Sequence, residues 1–155
     1  RGDSTEPRPA SHVPRPANDD AERGSIMMIV ATDAPLLDRG LRRLARRAGI
    51  GLARTGSIAG NGSGDYVIAF SSSRLVRVPH EPEGLTRTLE VVVEDGPAID
   101  ALFQATVEAT EEAILNALFK ATTMTGRDGN TREELPLERV REIMRAHGRL
   151  FDEDR

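Results

Sequence analysis

Between Gly24 and Ser25 the sequence changes character across one peptide bond, and that junction fixes where folding can start. Upstream, residues 1–24 (RGDSTEPRPASHVPRPANDDAERG) hold four of the nine prolines and, in Val13, a single large aliphatic residue. Such a stretch cannot bury enough apolar surface to offset the entropy of ordering it, so a flexible tail or linker is expected. Its five acids and four arginines nearly cancel, which is not a polybasic arm. It also lacks the basic start and apolar stretch of a secretory signal. The chain opens on Arg1, and the expectation is that it is the later part of a longer product. Downstream, Ser25-Ile26-Met27-Met28-Ile29-Val30-Ala31 is a continuous apolar run with β-branched members, the pattern of a strand buried on both faces. The division expected is therefore a tail over 1–24 and a folded part over 25–155.

Within the folded part, Thr32 and Asp33 offer an N-cap and Pro35 sits near a first helical position. From there Leu37, Leu41, Leu44, Ala45 and Ala48 recur at helical spacing, arginines fill the remaining surface, and Gly49 and Gly51 are expected to end the helix. Gly51 to Asp65 reads as a tight loop of small residues. Tyr66 to Phe70 and Leu89 to Val93 read as strands, and Pro97 opens a long helix to about Thr123, with Gly126 as its stop and the threonines around Met124 at its end. A last helix is expected from Pro136 to His147. Strand, helix, loop, two strands and two helices describe a layered α/β or α+β domain without internal repeats.

Composition then excludes several kinds of chemistry. With no cysteine among its 155 residues the chain forms no disulfide and no thiolate metal site, and His12, His80 and His147 are scattered. The longest apolar run, Ile26 to Ala31, is far below the roughly 20 residues that span a bilayer, so no membrane association is expected. Six arginines between Arg39 and Arg54 raise the question of nucleic acid, but the net charge is -4 and only 3% of residues are aromatic, leaving little to stack on bases. That face is expected to be solvated or to contact a subunit. A hydrophobic content of 38% is lean for a whole domain of this length, so either part of the chain does not fold or part of the core comes from elsewhere.

Two constellations can carry chemistry. If the bond before Ser25 were cut, the serine would present both a hydroxyl and a free α-amine. A hydroxyl attacks a carbonyl, and an amine of pKa about 7.7–8 accepts its proton near neutral pH without a histidine. Gly24 gives the chain the freedom to bring that hydroxyl onto the preceding carbonyl. Taken by itself, a Gly-Ser pair is more often simply the start of a strand. The second constellation is Gly60-Asn61-Gly62-Ser63-Gly64-Asp65, where glycines expose backbone N–H groups and Asn61, Ser63 and Asp65 set polar side chains on a narrow scaffold. It can line an oxyanion or substrate pocket. It lacks the Lys-Ser/Thr of a P-loop, and a polar turn between helix and strand is its commoner meaning.

Taken together, these residues resemble the family of L-aminopeptidase/D-amino-acid esterases and β-peptidyl aminopeptidases. The likeness runs from Gly24 to about Leu150 through Gly24–Leu37, Ala53–Ala59, Asn61–Asp65, Glu112–Leu118 and Met124–Gly129. It implies a precursor that cuts itself between Gly24 and Ser25, with residues 1–24 closing an upstream α subunit and Ser25 opening a β subunit as its nucleophile. Ser63 and Asp65 match the family positions that support the nucleophile, with Asn61, Gly62 and Gly64 completing the loop. Several family members carry Glu where this chain has Asp65, a difference in reach for the carboxylate.

The resemblance further implies an αββα sandwich, no metal or organic cofactor, release of N-terminal residues from short peptides, amides or esters through an acyl-enzyme, and oligomers of αβ units. The groups completing the oxyanion hole and holding the substrate's amine are expected on the α subunit. The same fold serves ornithine acetyltransferases, which use threonine, so acyl transfer is the enzymatic alternative; a serine at position 25 favours the hydrolase. A further alternative is a catalytically silent, uncut fragment, because an acylated α-nitrogen cannot act as a base. Absence of cysteine fits the cytoplasm, the compartment expected, and equally the periplasm.

Overall fold

The computed structural model describes residues 24–81 and 84–150. Most of the expected tail, and His12, lie outside the described residues. The apolar run forms strand β1 (Met27–Thr32), helix α1 (Asp38–Arg54) follows, and strand β2 (Tyr66–Ser71) returns parallel to β1 with Met27 opposite Tyr66 and Thr32 opposite Ser71. Helix α2 (Pro97–Phe119) packs across α1. A two-residue ladder pairs β3 (Met124–Thr125) with β4 (Thr131–Arg132), and helix α3 (Leu137–Ala146) comes last. The α+β class expected from the sequence is observed.

Helices α1 and α2 cover one face of the β1–β2 pair. Met28, Ala48 and Leu52 form one buried cluster; Leu36, Leu44 and Ile99 form another, joined to the first through Val30. The arginines of α1 do more than solvate its surface. Arg39 and Arg43 bind Glu94, Arg54 pairs with Glu111 of α2, and the guanidiniums of Arg43 and Arg47 lie 4.8 and 3.7 Å from the centroid of the Phe103 ring. They therefore help fasten α2 and its preceding segment to α1.

The other face of the sheet is open. Met27 (61% exposed), Ile29 (67%), Ile68 (51%) and Phe70 (47%) project from it, so the expected burial of β1 on both faces is not met among the described residues. Two of the four layers of an αββα sandwich are thus described, one sheet and one helical layer.

Several boundaries differ from expectation, each for a local reason. The Thr32 hydroxyl accepts the Ala34 N–H at 3.1 Å, forming a tight turn there, and α1 begins only at Asp38. Gly49 and Gly51 do not stop α1. Gly51 lies where a Cβ would come 2.6 Å from the Val107 carbonyl oxygen and 2.7 Å from Thr110 Cβ, so it permits close approach of α2. The stop is Gly56, at φ +99°, whose N–H bonds to the Ala53 carbonyl. Residues 89–93 form no strand ladder among the described residues and are tied by the Val92 N–H to the Pro35 carbonyl. Helix α2 ends at Phe119, because Thr123 and Glu134 bond reciprocally through backbone and side chain while the Thr125 and Thr131 hydroxyls meet across the β3–β4 ladder. β-Branched threonines suit that pairing better than a helix end.

Candidate active site

Because β1 and β2 are parallel and in register, their N-terminal ends lie side by side. The residues preceding each strand, 24–25 and 63–65, are therefore adjacent although they are 39 apart in sequence. The Tyr66 N–H continues the ladder to the Ile26 carbonyl at 3.0 Å, holding the two ends together.

The Gly64 N–H donates to Ser25 Oγ at 3.0 Å. Ser63 Oγ lies 2.8 Å from the Gly24 carbonyl oxygen and 2.6 Å from Asp65 Oδ1. Ser63 has one proton for these two acceptors, so it bonds to one at a time. The Gly24 carbonyl is that of the Gly24–Ser25 peptide bond, so the loop reaches both the hydroxyl and the carbonyl of the residue pair singled out by the sequence. An N–H aimed at Ser25 Oγ stabilises negative charge as it develops there, and a hydroxyl on the carbonyl polarises it.

Gly64 has no side chain to fill the space beside Ser25. A Cβ there would sit 3.4 Å from both Ser25 Oγ and Tyr66 Cε2. Asn61 and Gly62 form the exposed turn of the loop, closed by the Ser63 N–H to the Gly60 carbonyl; among the described residues neither bonds to Ser25. The structure thus brings Gly24, Ser25, Ser63, Gly64 and Asp65 together and leaves Asn61 and Gly62 at the edge.

A cleft of about 490 Å³ opens at this point, and Ser25, Ser63, Asp65, Leu52, Ser57 and Ile58 are among the residues that line it. Ser57 and Ile58 belong to the Ala53–Ala59 stretch of the family resemblance, which implies no role for them in the site. Tyr66, which the sequence marks only as the start of a strand, lies across the Gly64 Cβ position from Ser25 Oγ. His80 and His147 are exposed. Among the described residues no group of three or more His, Asp or Glu side chains is arranged to hold a metal ion, and no helix is long and apolar enough to cross a membrane.

The chain is thus an α+β unit with a serine just before a half-covered strand and a glycine-rich loop beside it. Residues 4–132 match peptidase family S58, and the chain belongs to that family. It is 37% identical over 127 residues to the β-peptidyl aminopeptidase BapA of Sphingosinicella xenopeptidilytica, covering 81% of this chain and 30% of that protein. It is 40% identical over 127 residues to BapA of Sphingosinicella microcystinivorans, covering 82% and 31%.

Among solved structures it is similar to the PH0078 protein of Pyrococcus horikoshii OT3, with TM-score 0.67, 48% identity, and 79% and 34% of the two chains covered. It also resembles the L-aminopeptidase D-Ala-esterase/amidase of Ochrobactrum anthropi, described as a prototype for the serine aminopeptidases and a new variant among the Ntn hydrolase fold. That match has TM-score 0.65 and 36% identity over 79% and 34% of the two chains. The chain spans about a third of the length of these relatives.

Proposed function

We propose that this chain is the nucleophile-bearing part of a serine aminopeptidase, activated when the precursor cuts itself between Gly24 and Ser25. The observation that carries the reading is the convergence of the Gly64 N–H on Ser25 Oγ and of the Ser63 hydroxyl on the Gly24 carbonyl. In the cut, Ser25 Oγ bonds to the Gly24 carbonyl carbon, the hydroxyl proton passes to the Ser25 nitrogen, and the Gly24–Ser25 C–N bond breaks, leaving an ester. Water then hydrolyses the ester, giving the Gly24 carboxylate and a Ser25 with free amine and hydroxyl.

In turnover the same oxygen attacks the carbonyl of the substrate's first residue while the α-amine takes its proton and delivers it to the leaving amine or alcohol. Water then releases the acyl residue. Ser63 and Asp65 orient the amine and the carbonyl, and Gly64 holds the oxygen.

Substrates on this reading are short peptides, amino-acid amides or esters; the β-peptidyl name of the relatives adds β-amino residues to the panel worth assaying. The partner is the upstream α subunit. The uncovered apolar face of β1–β2 supports this, as does the chain's share of its relatives' length. The test is Ser25→Ala in the full-length precursor. An uncut, inactive protein by intact mass and by hydrolysis of amino-acid p-nitroanilides is expected; cutting or hydrolysis at the wild-type rate overturns the reading.

A further inference from the structure

We infer that Tyr66 determines which side chains the site accepts on the acyl half of its substrate, an inference that rests on the aminopeptidase reading above. Ile26, Met28 and Val30 turn inward to the cluster beneath α1 and α2, so the alternate residues Ser25, Met27 and Ile29 turn to the open face of the sheet. On β2 the same face carries Tyr66, Ile68 and Phe70. Cross-strand register sets Met27 opposite Tyr66, one step from Ser25.

The point where Gly64 lacks a Cβ is 3.4 Å from Ser25 Oγ and equally far from Tyr66 Cε2, so the nucleophile and the ring are at most twice that distance apart. Gly64 keeps the gap between them open.

Ser25 thus has unlike surroundings on its two sides: the cleft lined by Ser63 and Asp65, and, outside that lining, Tyr66 across the Gly64 Cβ position. Ser63 and Asp65 lie toward Gly24 and are polar, suited to the substrate's amine and carbonyl. Tyr66, 64% exposed and the one tyrosine in the sequence, presents a flat apolar ring. When the acyl group is esterified to Ser25 Oγ, its side chain is held within a few bonds of that oxygen while the leaving group departs. It is therefore the acyl residue's side chain that the ring can follow through the reaction. The class of substrate this side selects has an aliphatic or aromatic first residue, which gains by covering the ring.

The experiment uses the full-length, processed protein and compares p-nitroanilides of a small residue (alanine) and a large one (leucine, phenylalanine), or their β-homo counterparts if the wild type prefers that backbone. In Tyr66→Ala the ratio of kcat/KM for large over small substrates should fall about 10-fold or more, chiefly through KM, whereas Tyr66→Phe keeps the wild-type ratio. If Tyr66→Ala is not processed, Tyr66→Leu replaces it and is expected to shift the ratio between leucine and phenylalanine substrates. An unchanged ratio overturns the inference, as does an equal loss on all substrates, which marks Tyr66 as a packing residue. A wild type that releases no amino acid from any of these substrates defeats the aminopeptidase reading itself, and this inference falls with it.

Discussion

Alanine at position 51 and alanine at position 49 should change stability in opposite directions, although both replace a glycine in the same helix. At either site the substitution removes glycine's unfolded-state freedom and improves helix propensity, worth about 1 kcal/mol. At Gly49 nothing lies within 4 Å of the new Cβ, so that gain stands alone and Gly49→Ala is expected to stabilise by ~0.5–1 kcal/mol. At Gly51 the Cβ would stand 2.6 Å from the Val107 carbonyl oxygen and 2.7 Å from Thr110 Cβ. Neither obstacle is the far end of a flexible side chain, so α1 and α2 must separate. Thr110 itself is buried and its hydroxyl is bonded to the Thr106 carbonyl at 2.7 Å, which resists the shift. Overpacking of this kind costs about 3 kcal/mol at the upper end of its usual range, leaving Gly51→Ala destabilised by ~2 kcal/mol after the propensity gain. The two variants should thus differ by about 5–12 °C in Tm, at ~2–4 °C per kcal/mol for a protein of this size. Scanning calorimetry of the two variants beside the wild type measures it. A Gly51→Ala protein that melts at or above the wild-type temperature would refute the close approach of α1 and α2.

Further outcomes concern the loop beside the serine. Ser63→Ala removes the hydroxyl shared by the Gly24 carbonyl and Asp65, and should slow both precursor cutting and turnover, with kcat reduced about 10²-fold, the scale of a lost donor at such a site; wild-type processing measured by a mass time course would count against it. Asp65→Glu should remain processed and active, since a longer arm still reaches Ser63, whereas Asp65→Asn should be impaired; equal rates in the two variants would remove the carboxylate's charge from the account. In the processed protein kcat/KM should rise with pH across about 7–8.5 and then level, because only the neutral α-amine accepts the serine proton and it is protonated below its pKa. A flat profile from pH 6 to 9 would point to another base.

The elements that sequence pattern identifies well are those whose cause is local. The apolar run of β1 and the leucine spacing of α1 each follow from residues that are neighbours in the chain. Glycine is ambiguous by contrast, because it serves two physical needs. Gly56 supplies the positive φ that ends α1, while Gly51, a few residues earlier, supplies room for α2, and composition alone does not say which is which. Leu89 to Val93 has the composition of a strand, but a strand also needs a partner ladder, and no described strand pairs with it. The threonines at 123, 125 and 131 are likewise assigned by what they meet across β3 and β4, a relation between separated residues.

The same distinction governs the site. Gly24-Ser25 and Ser63-Gly64-Asp65 are contiguous motifs, so each is visible as a string. That they touch is a consequence of parallel pairing between β1 and β2, which brings together the residues entering each strand. The pairing also decides which side of each strand faces the serine. Ser63 and Asp65 fall toward the Gly24 carbonyl, Gly64 beneath the hydroxyl, and Tyr66 on the open face, an alternation set by the two-residue period of extended chain. A shift of one residue in register would exchange these roles, placing a side chain where Gly64 now donates its N–H and turning Tyr66 away from the gap. The register from Met27–Tyr66 to Thr32–Ser71, held inside by Met28, Val30 and Val67 against α1 and α2, is therefore what converts two short motifs into one arrangement around Ser25.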